Sequence, residues 1–283
     1  MSTTKKLLRG SIDMHCHHGP DFMRERSVDA LQAVRQGEEA GMKAIVLKSH
    51  VYPTAPLAYI ANQIVSNITV FGSICLDFEV GGLNTHALEA SAKLGAKIVW
   101  MPTISSANDH NKRGLTEPGI TIFDEEGNLL PVVGEILDIV KSHQMILATG
   151  HISTSEAFAL VDEARRKGVS KIVATHPLLE EVGAHLSLEE QQRMAEKGAF
   201  IECCIAEIMP GSLARVDAMK IVEAVRAVGA EHCILSTDLG QATNPAPAEG
   251  MRVGIAVMLQ CGLTEKEIEL LVKVNPAKLL DLD

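Results

Sequence analysis

Near the start of the chain the sequence runs SIDMHCHHG, and within it His15 and His17 stand two apart. On a strand, residues at that spacing project to one face, with Cα atoms about 6.6 Å apart. Imidazoles rooted so can converge on one ion at Zn–N distances of about 2.0–2.1 Å. An H-x-H pair alone is weak evidence of a metal. Later segments strengthen it: LATG ends in His151, VAT ends in His176, and LST ends in Asp238. VLKSH adds Lys48 and His50, again two apart and so on one face. Each ligand-capable group falls at or just past the C-terminal end of a short apolar run. His18 falls on the other face from His15 and His17, and neither it nor Cys16 is expected to bind metal.

The elements that must position these residues are legible as a pattern. Apolar, β-branched runs at 11–14, 44–47, 70–76, 97–101, 145–148, 172–174, 199–203 and 233–235 are short and continuous, as in parallel strands covered on both faces. Helical stretches alternate with them. Ser27 reads as the cap of a helix over 28–40, Asn84 of one over 86–94, and Thr154 or Ser155 opens a helix ended by Gly168. Ser187 opens 188–197, and Gly229 closes a helix that runs from about Arg215. Eight strands at a spacing near 30 residues imply the α/β class and a (β/α)8 TIM barrel, in one domain spanning 1–283. Barrel enzymes build their sites at strand C-termini, where all the ligand-capable groups fall. The connection over 103–133 is long, and its segment 120–130 reads as a β-hairpin with a polar turn inserted after strand 4. No Gly-rich phosphate loop is present.

With these residues in place the chain resembles the amidohydrolase superfamily, over essentially its whole length. The resemblance extends to NPAKLL at 275–280, similar to a terminal segment common in that superfamily. It implies that His15, His17, His151 and Asp238 are metal ligands. It implies that His176 is either a ligand of a second metal or a group that polarises the substrate. The cofactor it implies is a divalent metal, Zn first and Mn, Fe or Ni as alternatives, one or two per chain. A departure marks an atypical branch: where many members have a bridging lysine or glutamate at the end of strand 4, this chain reads IVWMPT over 98–103. Lys48, as a bridge or as a binder of a substrate carboxylate, and His50, as an extra ligand, are the candidates to fill that gap. Glu202 is a candidate to orient a ligand imidazole. In the long loop, His110 and Arg113, beside Asp109 and Lys112, are candidates for binding an anionic substrate.

The function implied is that of a metal-dependent hydrolase: the metal acidifies water, Asp238 takes its proton, and an amide, ester or related bond of a small molecule is cleaved. The rivals are a metal-dependent decarboxylase or other lyase on the same barrel, a metal phosphoesterase, and a non-catalytic metal-binding relative. Composition narrows the partners. The formal charge is −10 over 283 residues, 46% of them hydrophobic and only 3% aromatic. An acidic surface attracts neither a phosphate backbone nor anionic lipid, so nucleic acid and membrane are not expected partners. The first nine residues carry lysines without an apolar run, so no secretory signal is expected, and no membrane span is visible. The six cysteines lack a CxxC spacing and read as reduced, buried residues of a cytoplasmic protein. A homo-oligomer is expected from the resemblance.

Overall fold

The structure is a computed structural model and describes residues 2–210 and 216–282. Among the described residues, eight strands lie side by side in sequence order. They are β1 (Ile12–His17), β2 (Ala44–Lys48), β3 (Thr69–Cys75), β4 (Ala96–Trp100), β5 (Ile146–Ala148), β6 (Ile172–Ala174), β7 (Ala199–Cys204) and β8 (Cys233–Ser236). Every neighbouring pair is parallel. The sheet closes on itself where the Asp238 amide donates to the His15 carbonyl at 2.8 Å and the His17 amide to the Leu239 carbonyl at 2.9 Å. This is the expected (β/α)8 barrel.

The apolar runs are continuous because each strand is covered twice. Ile12, Met14, Ala44, Val46, Ile98, Trp100, Ile146, Ala148, Val173 and Ile234 form one buried cluster, joined by Leu279 and Leu280 of the last helix. A larger cluster, with Ile45, Leu47, Val99 and Leu147 from the same strands, packs against the surrounding helices. Burying one such aliphatic side chain contributes about 1.5–3 kcal/mol, so both layers hold the barrel. Asn275 fastens the last helix beneath it, its amide donating to the Ala230 and Cys233 carbonyls at 2.8 and 2.6 Å.

Strand β1 departs from simple alternation. Ile12 and Met14 belong to the inner cluster and Cys16 to the outer one, although all three are even-numbered. The pairing with β2 shifts register between Asp13 and Cys16. A bulge of this kind re-aims the residues that follow it, and here it sets His15 and His17 on the inner side.

The helices begin and end on local chemistry. Ser153 and Glu156 form a capping box for Thr154–Lys167, which Gly168 ends at φ 85°, and Asn84 caps Thr85–Lys93. The first barrel helix starts later than its sequence suggests, at Ala30, because Asp29 and Gln32 make the capping box. Ser27 instead donates its amide to the Gly240 carbonyl across the barrel closure. The helix expected from about Arg215 runs Ala218–Val228, capped by Asp217; Arg215 lies outside the described residues. Further helices are Thr3–Leu8, Ala55–Asn62, Ala107–Lys112, Pro131–Ser142, Leu188–Glu196, Pro247–Gln260, Glu265–Glu269 and the last, Asn275–Leu280.

The insertion after β4 contains the hairpin in reduced form, a single antiparallel bridge between Phe123 and Leu129. Asp124 closes its turn by accepting from the Glu126 and Asn128 amides at 3.0 and 2.8 Å. Glu156 ties it to the barrel, accepting from Thr121 Oγ1 at 2.6 Å and the Ile122 amide at 2.9 Å. All six cysteines are free thiols. Among the described residues, no helix is long and apolar enough to cross a membrane.

Candidate active site

At the C-terminal mouth of the barrel, five imidazoles from four strand ends form a closed circuit. Ring centroids are 5.2 Å apart for His15 and His17, 4.9 Å for His17 and His50, and 6.4 Å for His50 and His151. His151 and His176 are 4.8 Å apart, and His176 and His15 6.1 Å. All five are at most 5% exposed. Asp238 completes the group. It follows β8 at φ 50°, and its Oδ1 lies 3.1 Å from His15 Nε2 and 3.0 Å from His17 Nε2. Lys48, from the end of β2, brings Nζ to 2.9 Å from His15 Nε2 and sits 5.0 Å over the Trp100 ring.

Carboxylates turn three of the rings. His151 Nδ1 donates to Asp109 Oδ2 at 2.7 Å. His15 Nδ1 is 3.3 Å from both oxygens of Glu202. His50 Nδ1 lies 2.7 Å from Thr103 Oγ1 and 3.4 Å from Asp77 Oδ2. A proton held at Nδ1 leaves the Nε2 lone pair free for a ligand, the usual arrangement behind metal-binding histidines. The carboxylates are themselves fixed. Asp109 accepts from the Gly183 amide at 2.8 Å. Asp77 accepts from the Thr103 and Ser105 amides at 2.7 and 3.1 Å, and from the Thr103 hydroxyl. Behind β1, Asp13 accepts from the Thr237 hydroxyl and amide at 2.5 and 2.9 Å, tying the strand that carries the histidine pair to the one before Asp238.

Electrostatics sort these groups by charge. Burial, then His151, push the His176 imidazole down to about 3, and burial takes His50 to about 4; both rings are neutral. Burial pushes Asp238 up, but His15 and His17 hold its carboxyl well below the usual range. Burial and Lys48 both disfavour charge on His15, yet Asp238 and Glu202 outweigh them and raise it to about 9. Two ionised carboxylates flanking one ring thus draw a positive charge into the middle of the site.

That demand, and the donor set, fit a divalent cation. His15, His17 and Asp238 offer ligand atoms within 4.8 Å of one another. His151 Nε2 and His176 Nε2 face each other at 3.0 Å, and His176 Nδ1 is buried without a partner among the described residues. Two further groups, His15 with Glu202 and Cys204 and His50 with Cys75 and Asp77, meet the same distance criterion. Their carboxylates already serve the imidazoles as hydrogen-bond acceptors.

The cavity in front of this cluster measures about 230 Å³. His17, Lys48, His50, His151, His176 and Asp238 line it, together with Asp109 and Arg113 of the long loop after β4. His110 is brought elsewhere: its Nδ1 pairs with the Glu117 carbonyl at 2.8 Å and its ring meets Phe78 edge-on. Asp109 is 2% exposed and orients His151, so it is an interior residue of the site and no part of a solvated loop. His18 turns away, pairing with the Gly19 carbonyl at 2.9 Å. Sequence reasoning did not single out Asp13, Asp77, Thr103, Arg24, Glu207 or Asn244. The last three also line the cavity. Their one sequence signal is position shortly after a strand.

The chain is a (β/α)8 barrel with its ligand-capable side chains gathered at the C-terminal mouth. The chain belongs to the family of unknown function DUF6282, whose model matches residues 10–202. The match takes in every site residue from His15 to Glu202 and stops before Asp238. No curated protein matches the sequence. Solved structures share the fold over nearly the full length. The probable dipeptidase PvdM from Pseudomonas aeruginosa is 14% identical, with 98% of this chain and 96% of that one covered, at a TM-score of 0.67. A putative 2-pyrone-4,6-dicarboxylic acid hydrolase from Pseudomonas putida is 15% identical, covering 96% and 97%, at 0.59. A 2,6-dihydroxybenzoate decarboxylase in complex with 2,6-dihydroxybenzoate is 12% identical, covering 97% and 100%, at 0.55.

Proposed function

We propose that this cavity is the active site of a metal-dependent hydrolase acting on an amide, ester or related C–N or C–O bond of a small molecule. The observation that carries the reading is the meeting of His15, His17, His151 and Asp238 at the mouth of one barrel, with His50 and His176 closing the ring. His15, His17, His151 and Asp238 would hold the ion, with His50 and Lys48 as the further candidates. Zn²⁺ is the first choice, and the ion would supply a Lewis acid and acidify water.

The chain's own groups divide the remaining work. Asp238, kept ionised by the two imidazoles at its Oδ1, takes the proton of the attacking water and returns it to the leaving group. His176, neutral and buried, either joins the metal ligands through Nε2 or polarises the substrate carbonyl. Glu202 and Asp109 hold His15 and His151 in the tautomer that frees Nε2.

A second reading has an observation behind it. The end of β4 offers Trp100 and Met101 where a bridging ligand would stand, and the fold likeness includes a decarboxylase. Release of CO₂ in place of an amine, alcohol or acid would assign the protein to the lyases.

Metal content tests the common core of both readings. The purified chain, reconstituted with Zn²⁺ and dialysed, should retain one or two ions, and His15→Ala/His17→Ala should retain none. One ion would leave Lys48 free to hold a substrate oxygen; two would make Lys48, carboxylated at Nζ, or His50 the candidate for the ligand missing from β4. Retention of no ion by the native chain would overturn the catalytic reading.

A further inference from the structure

The cavity has a second chemical character, carried by arginines. Arg24 and Arg26 reach it from the loop after β1, and Arg113 from the end of the Ala107–Lys112 helix. Arg26 is neutralised inside the protein, donating from Nε and Nη2 to Asp21 Oδ2 at 2.8 and 2.5 Å. The Arg24 and Arg113 guanidiniums have no hydrogen-bond or ion-pair partner among the described residues. Partial burial, then the charges of Arg26 and Arg113, hold Arg24 below the usual arginine range against the opposing pull of Asp238 and Asp21. Glu181, an exposed acid on the same wall, pairs with neither. A chain with 36 acidic residues against 26 basic ones thus places in the wall of this cavity two guanidiniums without an ion-pair partner among the described residues.

A further unpaired group faces the same space. Asn244 lines the cavity with Oδ1 buried and without a partner among the described residues. Its amide is fixed, Nδ2 donating to Gln241 Oε1 at 3.0 Å, while Gln241 Nε2 donates to the Asp238 carbonyl at 2.7 Å. The Asn244 oxygen is therefore an acceptor that only an incoming donor can satisfy, and a buried acceptor left unmet costs about 1–3 kcal/mol.

Building on the reading of this cavity as the active site, we propose that Arg24 and Arg113 grip the oxyanion group, carboxylate or phosphate, of a small acidic substrate. Asn244 Oδ1 accepts from a hydroxyl or amide N–H of the same molecule. A guanidinium presents parallel N–H groups that match both oxyanions, and the charge-assisted bonds so made are about twice as strong as neutral ones. The grip fixes one end of the substrate at the arginines and leaves its other end toward Asp238 and the imidazoles.

The test compares probes that share a phenyl body and differ in head group: benzoate, phenyl phosphate and uncharged benzamide. Each is titrated into the native chain, Arg24→Gln, Arg113→Gln and the double variant, with and without added Zn²⁺, following the thermal midpoint. Benzoate or phenyl phosphate should bind the native chain and benzamide should not. Each single substitution should weaken that binding about tenfold, and the double should abolish it, with metal content unchanged throughout. Tighter binding of benzoate would assign a carboxylic acid substrate, and tighter binding of phenyl phosphate a phosphorylated one. Equal binding of the anions to native chain and double variant, or of benzamide and benzoate to the native chain, would overturn the proposal. Arginine-dependent anion binding in a chain that retains no metal would leave this site standing while the catalytic reading falls.

Discussion

At the scale of single residues, Glu207 is a buried carboxyl with no cation to pair with among the described residues. Glu207 follows β7, is fully buried, and lines the cavity. Its Oε2 accepts weakly from the Cys204 amide at 3.4 Å and its Oε1 has no partner. Burial first, then the carboxylates of Asp238 and Glu202, push it well above its ordinary 4.5. In the folded chain Glu207 keeps its proton at pH values where the unfolded chain has lost it. The native state then binds more protons than the unfolded one, and stability falls as pH rises above about 4.5. Glu207→Gln removes that titration while keeping the shape. Urea denaturation should show the variant gaining on the native chain as pH is raised from about 5 to about 8, because across that range the unfolded glutamate is ionised while the folded one holds its proton. A gap that does not change with pH would mean that Glu207 is ionised in the folded protein.

At the scale of elements, the strands were legible because two-sided burial writes them as continuous apolar runs, and the metal-ligand candidates because each falls at or just past the end of such a run. What the sequence hid depends on packing between segments distant along the chain. Asp77 and Asp109 look like ordinary polar loop residues until Thr103 and His151 are brought against them. The bulge in β1 leaves no mark in composition, although it decides which way His15 and His17 face. Arg24 lies among exposed neighbours such as Phe22, 78% exposed, and gains its meaning only in the cavity that Arg113 also lines. Close approach of backbones was hidden in the same way. Gly72 on β3 packs against the start of the Ala55–Asn62 helix, where an added Cβ would stand 2.3 Å from the Ala55 Cα and 2.5 Å from its nitrogen. Both obstacles are backbone, so no rotamer relieves them and the helix must move off the strand. Gly72→Ala should cost about 3 kcal/mol, the upper range for overpacking, read as a lowered urea midpoint at constant slope. A loss under about 0.5 kcal/mol, typical of an uncrowded site, would mean that the helix sits further from β3.

At the scale of the whole molecule, the barrel encloses its thiols, and that closure can be measured. Cys16, Cys75, Cys203, Cys204 and Cys233 are at most 1% exposed, and Cys261 alone is partly open. Burial pushes Cys75 and Cys233 up to about 12 and holds Cys16, Cys203 and Cys204 well above the ordinary thiol range. Since the thiolate is the reactive form, each of the five is doubly protected, by access and by charge. Iodoacetamide should label at most one thiol per native chain promptly and all six in denaturant. The five buried thiols sit on β1, β3, β7 and β8, on both sides of the barrel closure, so their slow labelling reports opening of the barrel as a unit. A ligand that binds only the folded state suppresses such opening by the factor 1 + [L]/Kd. Mn²⁺, which prefers oxygen and nitrogen ligands to thiolates, should therefore slow all five together by about a hundredfold at a hundred times its Kd. His15→Ala/His17→Ala should label at one rate with or without the ion. Fast labelling of Cys16 alone would instead mean that the closure between β1 and β8 opens independently of the rest. The ion's stabilisation would then be confined to that seam, and the histidine pair and Asp238, which face each other across it, would be its clasp.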